Sequence, residues 1–162
     1  MTQALTIPTF TFSDDMNATS LLQLRKDAKA HIDGLTLLPF FIKALSLAML
    51  EFPIVNSIVN PEKDSEGLIK EYIIKKDHNF AIAIDSKEGL TTPNIKNVNL
   101  KTIKQINQDL KDLQFRSENN KLVKSDFEDS TFSVSSVGNI GGRYFVPTIL
   151  SPQTAIIAIG KS

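Results

Sequence analysis

Two adjacent serines, Ser135 and Ser136, close an alternating segment and carry hydroxyls that could donate hydrogen bonds to a ligand. The segment, residues 131–142, reads TFSVSSVGNIGG. Successive side chains of a strand point to opposite faces, so one face of this segment is apolar and the other carries hydroxyls. The apolar face holds Phe132 and Val134, and the hydroxyl face holds Thr131, Ser133 and Ser135. The glycines that follow remove side-chain bulk, so a ligand could approach the hydroxyls and the backbone.

A simpler interpretation of this segment is turn chemistry, because serine-rich strand ends followed by glycines are common in turns, and composition alone favours it. A phosphate-binding P-loop is a poorer match. That motif needs Lys-Ser or Lys-Thr after its last glycine, whereas Arg143 and Tyr144 follow Gly142.

Composition limits the classes of protein that the chain can represent. Its 162 residues are enough for one domain that buries roughly 70% of the surface of the unfolded chain. Eighteen basic residues offset eighteen acidic ones, so no bulk charge points to nucleic acid or to an anionic membrane. The absence of cysteine excludes disulfides, thiolate nucleophiles and cysteine-ligated metals. The apolar runs are shorter than the roughly 20 residues that span a bilayer, and no signal pattern follows Met1, so we expect a soluble protein.

The first half of the chain predicts a strand, two helices and a hairpin. Residues 6–13 alternate as a strand, and Asn17 is the predicted N-cap of a helix that runs to about Ala30. Thr36 is the predicted cap of a second helix, residues 37–51, which tolerates Pro39 in its first turn. This second helix is apolar nearly all round, so we expect it to be buried all round, between a sheet and a further surface such as another subunit. Residues 54–59 and 68–74 predict an antiparallel hairpin.

The second half predicts further strands around one helix. Residues 78–85 alternate as a strand, residues 90–95 form a strand interrupted by Pro93, and Thr102 caps a helix with an apolar stripe. After the serine-bearing strand, residues 144–150 predict another strand and residues 154–159 an interior one. Because strands and helices do not alternate strictly, the predicted class is α+β with a mixed or antiparallel sheet.

Five segments of the chain together carry a resemblance to a known family. They read IPTFTFSDD, LLQLRKD, LTLLPFFIKALSLAMLEFPIVNSIV, HNFAIAIDSKEGLTTPNIKNV and TFSVSSVGNIGGRYFVPTILSPQTAIIAIGKS. Together they resemble the catalytic core domain of the dihydrolipoamide acyltransferases of 2-oxoacid dehydrogenase complexes. The resemblance covers nearly all of the chain, as a single but incomplete core domain at residues 1–162. The residues HN before AIAID, together with PNIKNV after it, are most similar to the branched-chain members.

The resemblance implies a fold, a reaction and partners. The fold is that of chloramphenicol acetyltransferase, a mixed sheet flanked by helices, which forms homotrimers that assemble into a larger core. The reaction transfers an acyl group between dihydrolipoyl-lysine and coenzyme A, with the lipoyl group presented by another domain and no metal. Implied partners are lipoyl domains and the decarboxylase and dihydrolipoamide dehydrogenase subunits, with no nucleic acid or membrane. The implied compartment is the cytoplasm of a prokaryote or the mitochondrial matrix.

The resemblance also assigns roles to residues of this chain. Ser135 matches the family serine that hydrogen-bonds the oxyanion of the tetrahedral intermediate. Arg25 matches the arginine that meets a phosphate of coenzyme A, although an exposed helix charge is the simpler interpretation of that residue. Further positions that would line the coenzyme A site are Thr36, Asp85, Gln114, Ser135, Ser136, Asn139, Gly160 and Ser162.

The catalytic base is the point at which this sequence departs from the family pattern. In the family, the base lies in a His-x-x-x-Asp-Gly motif downstream of the position of Ser162, and neither His31 nor His78 has that context. A structural hydrogen bond is the favoured role for His78. We therefore expect the chain to be inactive alone. We also expect it to lack the family's lipoyl and peripheral-subunit-binding domains. Two alternatives remain: a non-catalytic core subunit that assembles with complete acyltransferase chains, and a small-molecule binder or unrelated acyltransferase.

Overall fold

A four-stranded mixed sheet with two helices packed on it organises the protein. The structure, a computed structural model, describes residues 7–86, 89–138 and 141–161. The helices are α1 (Thr19–Ala28), α2 (Leu38–Glu51) and α3 (Ile103–Glu118). The strands are β1 (Ser57–Val59), β2 (Tyr72–Ile74), β3 (Phe80–Ile82), β4 (Ile84–Ser86), β5 (Gly89–Thr91), β6 (Asn94–Ile95), β7 (Phe132–Ser136) and β8 (Ile156–Ile159).

The sheet has the strand order β6-β3-β7-β8, in which β3 is antiparallel to β6, and β3, β7 and β8 run parallel. Two separate antiparallel pairs, β1 with β2 and β4 with β5, complete the described strands. The predicted α+β class with a mixed sheet is confirmed, as is the antiparallel pairing of the early hairpin. The predicted interior position of β8 is wrong, because β8 pairs only with β7 within the described residues and its side chains are half-buried.

The core lies between the sheet and the helices α2 and α3. The rings of Phe80 on β3 and Phe132 on β7 pack edge to face, with their centroids 5.3 Å apart. The buried residues that meet them include Ile42 of α2 and Ile106 of α3. The predicted cap of α3 is confirmed, because Thr102 and Gln105 form a reciprocal capping box that satisfies two backbone N–H groups. This cap places the apolar stripe of α3 on the sheet.

Two predicted strands are absent from the structure. Residues 7–13, the described part of the first one, and residues 144–150 form neither helix nor strand. A strand forms where a neighbouring strand pairs with its backbone, and no described strand pairs with either segment. Phe10 and Phe12 consequently remain 93% and 81% exposed. The hydroxyl of Tyr144 donates to Asp15, so the second segment contacts the chain two residues after the first.

The ends and the burial of the first two helices also differ from expectation. Thr36 does not cap α2, because Leu37 occupies the N-cap position without a side-chain hydrogen bond, whereas Pro39 lies in the first turn as predicted. One face of α2 is open, with Leu47 and Leu50 53% and 65% exposed, so the helix is not buried all round by this chain. α1 buries no residue and begins at Thr19. Ala18 occupies its N-cap, so the predicted cap at Asn17 is wrong by one residue, although the N–H of Thr19 donates to the Asn17 side chain.

Candidate active site

The carboxyl ends of β3, β7 and β8 meet at one edge of the sheet, because these three strands are parallel. Ser135 and Ser136 end β7 opposite Ala158 and Ile159 of β8, and Gly160 follows β8 directly. On the other side of β7, the chain passes from β3 into β4, which carries the exposed Asp85. Four of the predicted site residues are thus grouped at this edge. We call Asp85, Ser135, Ser136 and Gly160 the sheet-edge group.

Two glycines allow the turn after β7 to fold onto the end of β8. A Cβ atom on Gly160 would overlap the backbone carbonyl of Arg143, so only glycine fits there. A Cβ atom on Gly138 would lie 3.9 Å from the Gly160 carbonyl oxygen and from Ser136 Oγ. The N–H of Lys161 donates to the Gly142 carbonyl over 2.9 Å, which closes the turn. The turn after β7 is therefore packed closely against the residue that follows β8.

Ser135 is the position at which the hydroxyl face of β7 leaves the interior. Ser133 is buried and its Oγ lies 2.5 Å from Gln153 Oε1, while the buried Thr131 donates to Asn56 Oδ1 over 2.6 Å. The hydroxyl face is thus mostly core, in contrast to the prediction of one apolar core face. Ser135 is half-buried, and no side chain or backbone group of the described residues bonds its hydroxyl. Its hydroxyl is available to a ligand at the sheet edge.

Two further predicted residues, Arg25 of α1 and Thr36, meet at residues 29–37, the connector between α1 and α2. The Nε atom of Arg25 donates to the carbonyl oxygen of Leu35 over 3.1 Å, which fixes the guanidinium beside the exposed Thr36. Gln114 is exposed on α3, where its Nε2 atom lies 3.2 Å from Glu118 Oε1. Within the described ranges, no hydrogen bond or ion pair joins these three residues to the sheet-edge group.

The connector is tied to α3 by contacts that the sequence did not predict. Lys111 pairs with Asp33, with Nζ 2.8 Å from Oδ2, and Asn107 donates to the Asp33 carbonyl over 3.3 Å. Lys111 lies 78 residues from Asp33 and has the sequence pattern of an ordinary solvated lysine, so no local signal could reveal the pair. The predicted site residues Asn139 and Ser162 lie outside the described residues.

The two histidines differ in their surroundings. His31 is exposed on the connector. His78 is 4% exposed, and its Nδ1 lies 2.8 Å from Ser46 Oγ of α2. Burial lowers the pKa of His78, and the nearby Lys43 lowers it further against the opposing effect of Asp77. His78 precedes Phe80, which pairs with Phe132, so along the parallel strands it lies roughly 16 Å from the level of Ser135.

The described part of the chain contains no cluster of three or more histidine, aspartate or glutamate side chains that could hold a metal ion. In the same ranges, no helix is both long enough and apolar enough to cross a bilayer.

The class of this molecule follows from its mixed sheet, from the two helices packed on that sheet, and from the sheet-edge group. Its family is given by the sequence. The sequence matches the family described as 2-oxoacid dehydrogenases acyltransferase (catalytic domain) over residues 1–162. The chain belongs to this family, and the predicted resemblance is confirmed.

Relatives place the chain near the branched-chain members, as its sequence predicts. It is 42% identical to the lipoamide acyltransferase component of the branched-chain alpha-keto acid dehydrogenase complex of Caenorhabditis elegans, over 99% of this chain and 36% of that protein. It is 36% identical to the dihydrolipoyllysine-residue acetyltransferase component of the pyruvate dehydrogenase complex of Buchnera aphidicola, over 96% of this chain and 39% of that protein. The chain therefore spans little more than a third of the length of these relatives.

Solved structures share the fold. The truncated catalytic core of the 2-oxoacid dehydrogenase multienzyme complex of Thermoplasma acidophilum superposes with a TM-score of 0.90 at 30% identity, over 99% of this chain and 72% of that one. Dihydrolipoamide acetyltransferase of Azotobacter vinelandii gives the same TM-score and identity, over 99% of this chain and 65% of that one. That structure was used to study the role of one serine, one histidine and one asparagine in its catalytic mechanism.

Proposed function

We propose that this chain is part of an acyltransferase core that moves an acyl group between dihydrolipoyl-lysine and coenzyme A. The observation that carries the proposal is the half-buried Ser135 hydroxyl, unbonded within the described residues, at the edge where the carboxyl ends of β3, β7 and β8 meet. Family membership supports the reaction class. We infer the same overall fold for this chain as for chloramphenicol acetyltransferase.

The proposed reaction needs an oxyanion donor and a base. The thiol of coenzyme A loses its proton to the base, and its sulfur attacks the thioester carbonyl of the acylated dihydrolipoyl group. The Ser135 hydroxyl donates a hydrogen bond to the negative oxygen of the resulting tetrahedral intermediate. The intermediate then breaks its bond to the dihydrolipoyl sulfur, which takes the proton back from the base. Acyl-coenzyme A and free dihydrolipoyl-lysine are the products.

The base is proposed to be a residue other than His31 and His78. The Ser46 bond and burial hold His78 in the interior, at a level of the sheet about 16 Å from Ser135. His31 lies on the connector rather than at the sheet edge. The histidine studied in the Azotobacter vinelandii enzyme supports a base of this type. We propose that a His-x-x-x-Asp-Gly segment outside these 162 residues supplies it, so the isolated chain should not catalyse transfer.

Coenzyme A is proposed to contact both groups of predicted residues. Its phosphates would meet Arg25 of α1, Thr36 of the connector and Gln114 of α3, while its thiol would reach Ser135 and Ser136 beside Gly160. Asp85, Asn139 and Ser162 complete the proposed contacts. Because no bond joins the two groups within the described part of the chain, a site between neighbouring subunits is the favoured arrangement.

Assembly into homotrimers and then into a larger core is part of the proposal. The open face of α2, with Leu47 and Leu50 exposed, supports a subunit contact, since apolar patches on a surface mark interaction sites. Lipoyl domains would deliver the acyl group, and the decarboxylase and dihydrolipoamide dehydrogenase subunits would bind the same complex. The proposed compartment is the prokaryotic cytoplasm or the mitochondrial matrix.

The same surface supports a second candidate function, a non-catalytic core subunit that assembles with complete acyltransferase chains. Co-expression with a complete homologue tests it, because mixed trimers are then expected in native mass spectra. If only separate homotrimers form, this second function is excluded.

Substitution of Ser135 by alanine in the full-length protein tests the proposed reaction. Loss of one oxyanion donor should lower kcat for acyl transfer by roughly 10²–10³ with no change in assembly. Ser125→Ala is the matched control, because Ser125 is exposed on the 3₁₀ turn Lys124–Asp126, and it should keep wild-type turnover. Equal kcat values for Ser135→Ala and wild type would overturn the oxyanion role. Transfer by the isolated 162-residue chain would overturn the proposal that the base lies elsewhere.

A further inference from the structure

We propose that Lys111 is a second cation of the coenzyme A site and that it binds the 3′-phosphate of the nucleotide end, an inference that rests on the proposed function. Lys111 projects from α3 onto the connector, where its Nζ lies 2.8 Å from Asp33 Oδ2. The same Nζ would lie 2.7 Å from a Cβ atom placed on Gly34. The ammonium group is therefore in contact with the backbone that leads to Thr36.

Arg25 approaches the same stretch of backbone from α1. Its Nε bonds the carbonyl oxygen of Leu35, the residue next to Gly34. From these contacts and standard backbone dimensions, the Arg25 Nε and the Lys111 Nζ are at most roughly 14 Å apart. Gly34 has φ +58° and no side chain, so the connector bends sharply between the two cations. Two cations and the exposed Thr36 hydroxyl suit a ligand that carries phosphates at two positions.

The ion pair between Lys111 and Asp33 is weak enough for a phosphate to replace Asp33. The side chains of Lys111 and Asp33 are 39% and 101% exposed, and exposed ion pairs contribute little to stability. A phosphate monoester carries nearly two negative charges at neutral pH, more than the single charge of Asp33. The 3′-phosphate is the monoester of coenzyme A, whereas each phosphate of its diphosphate carries about one charge. A flexible lysine with three donors can turn from Asp33 to such a dianion.

Calorimetric titration with coenzyme A and with 3′-dephospho-coenzyme A tests the assignment in the full-length protein. Lys111→Gln should weaken binding of coenzyme A about tenfold, the loss of one charge-assisted contact, and leave binding of the dephospho form unchanged. Lys104→Gln is the matched control, because Lys104 is exposed on α3 about 10 Å, two helical turns, from Lys111. It should keep the wild-type ratio of the two affinities. Asp33→Ala removes the competing carboxylate and should tighten binding of coenzyme A alone.

The ratio of the two affinities separates failure of this inference from failure of the proposed function. If wild type binds coenzyme A and Lys111→Gln leaves the ratio unchanged, the role of Lys111 is overturned and the proposed function stands. An equal loss for both ligands in Lys111→Gln also overturns the 3′-phosphate assignment. If wild type binds neither ligand, the proposed function fails together with the inference.

Discussion

The Oγ atom of Ser46 lies 2.8 Å from Nδ1 of His78, which joins α2 inside the protein to the chain two residues before β3. Both side chains are almost fully buried. The contact fixes the helix that carries the open apolar face relative to the central sheet. A titratable ring at such a position makes the stability of the fold depend on pH.

Stability should fall as the pH drops below about 6.5, the pKa of a histidine in an unfolded chain. The folded state disfavours the charged His78 ring, because burial and then Lys43 lower its pKa, so the unfolded state binds more protons in this range. His78→Asn keeps a polar partner for Ser46 but does not titrate, so it should remove the part of the pH dependence of stability that His78 causes. Urea midpoints at pH 7.5, 6.5 and 5.5 measure the effect. His31→Asn is the control, and identical pH profiles for His78→Asn and wild type would contradict the prediction.

Gly160→Ala should destabilise the protein by about 1–3 kcal/mol, because the new methyl group overlaps the Arg143 carbonyl and forces the backbone apart. Gly138→Ala is the stability control, since its nearest neighbours lie 3.9 Å from the added carbon. Urea denaturation of both variants measures the difference. If the two variants are equally stable, the close approach of the turn to the end of β8 is not as described.

Asp126→Asn should cost about 1–3 kcal/mol, because this half-buried carboxylate receives hydrogen bonds from Arg116 Nη1 over 2.6 Å and from the Val123 N–H over 2.8 Å. The bonds tie α3 to the turn before β7. Asp112→Asn also removes a carboxylate from Arg116, but Asp112 is 55% exposed, so its loss should cost less than 1 kcal/mol. Denaturant titration of both variants at pH 7 tests the order, and a larger loss for Asp112→Asn would refute it.

Leu47→Glu should reduce the assembled mass of the full-length protein, because a charge on the open face of α2 would be buried without a partner in a subunit contact. Light scattering after size-exclusion chromatography measures the mass. Gln108→Glu places the same charge on the exposed side of α3 and should leave the mass unchanged. An unaltered mass for Leu47→Glu would show that this face is not part of the contact.

Local patterns predicted the elements whose determinants are close in sequence. Thr102 and Gln105 specify the start of α3 within four residues, and the alternation around Phe132 and Val134 marks β7. The alternation pattern did not predict burial correctly where the residues that cover a strand are distant in sequence. It could not show that Asn56 and Gln153 cover the hydroxyl face of β7, because these partners lie up to 75 residues away.

The candidate site, too, was only partly predictable from local sequence patterns. The Ser135–Gly160 grouping depends on the parallel pairing of β7 with β8, which periodicity does not specify, and the resemblance to a family supplied it. Arg25, Thr36 and Gln114 were predicted as separate site residues, and the Asp33–Lys111 pair was not predicted. Such an exposed pair leaves no composition signal, so only the folded chain identifies it.

The strand order has a consequence during synthesis. β3 leaves the ribosome about fifty residues before β7, the strand that must lie beside it, and of the strands described only the short β6 can pair with it first. At roughly 5–20 residues per second, that interval lasts about 3–10 s. During this interval, the apolar side chains of α2 and β3 have no completed sheet to pack against. The nascent chain therefore exposes apolar surface that chaperones, or other nascent chains on the same mRNA, can bind.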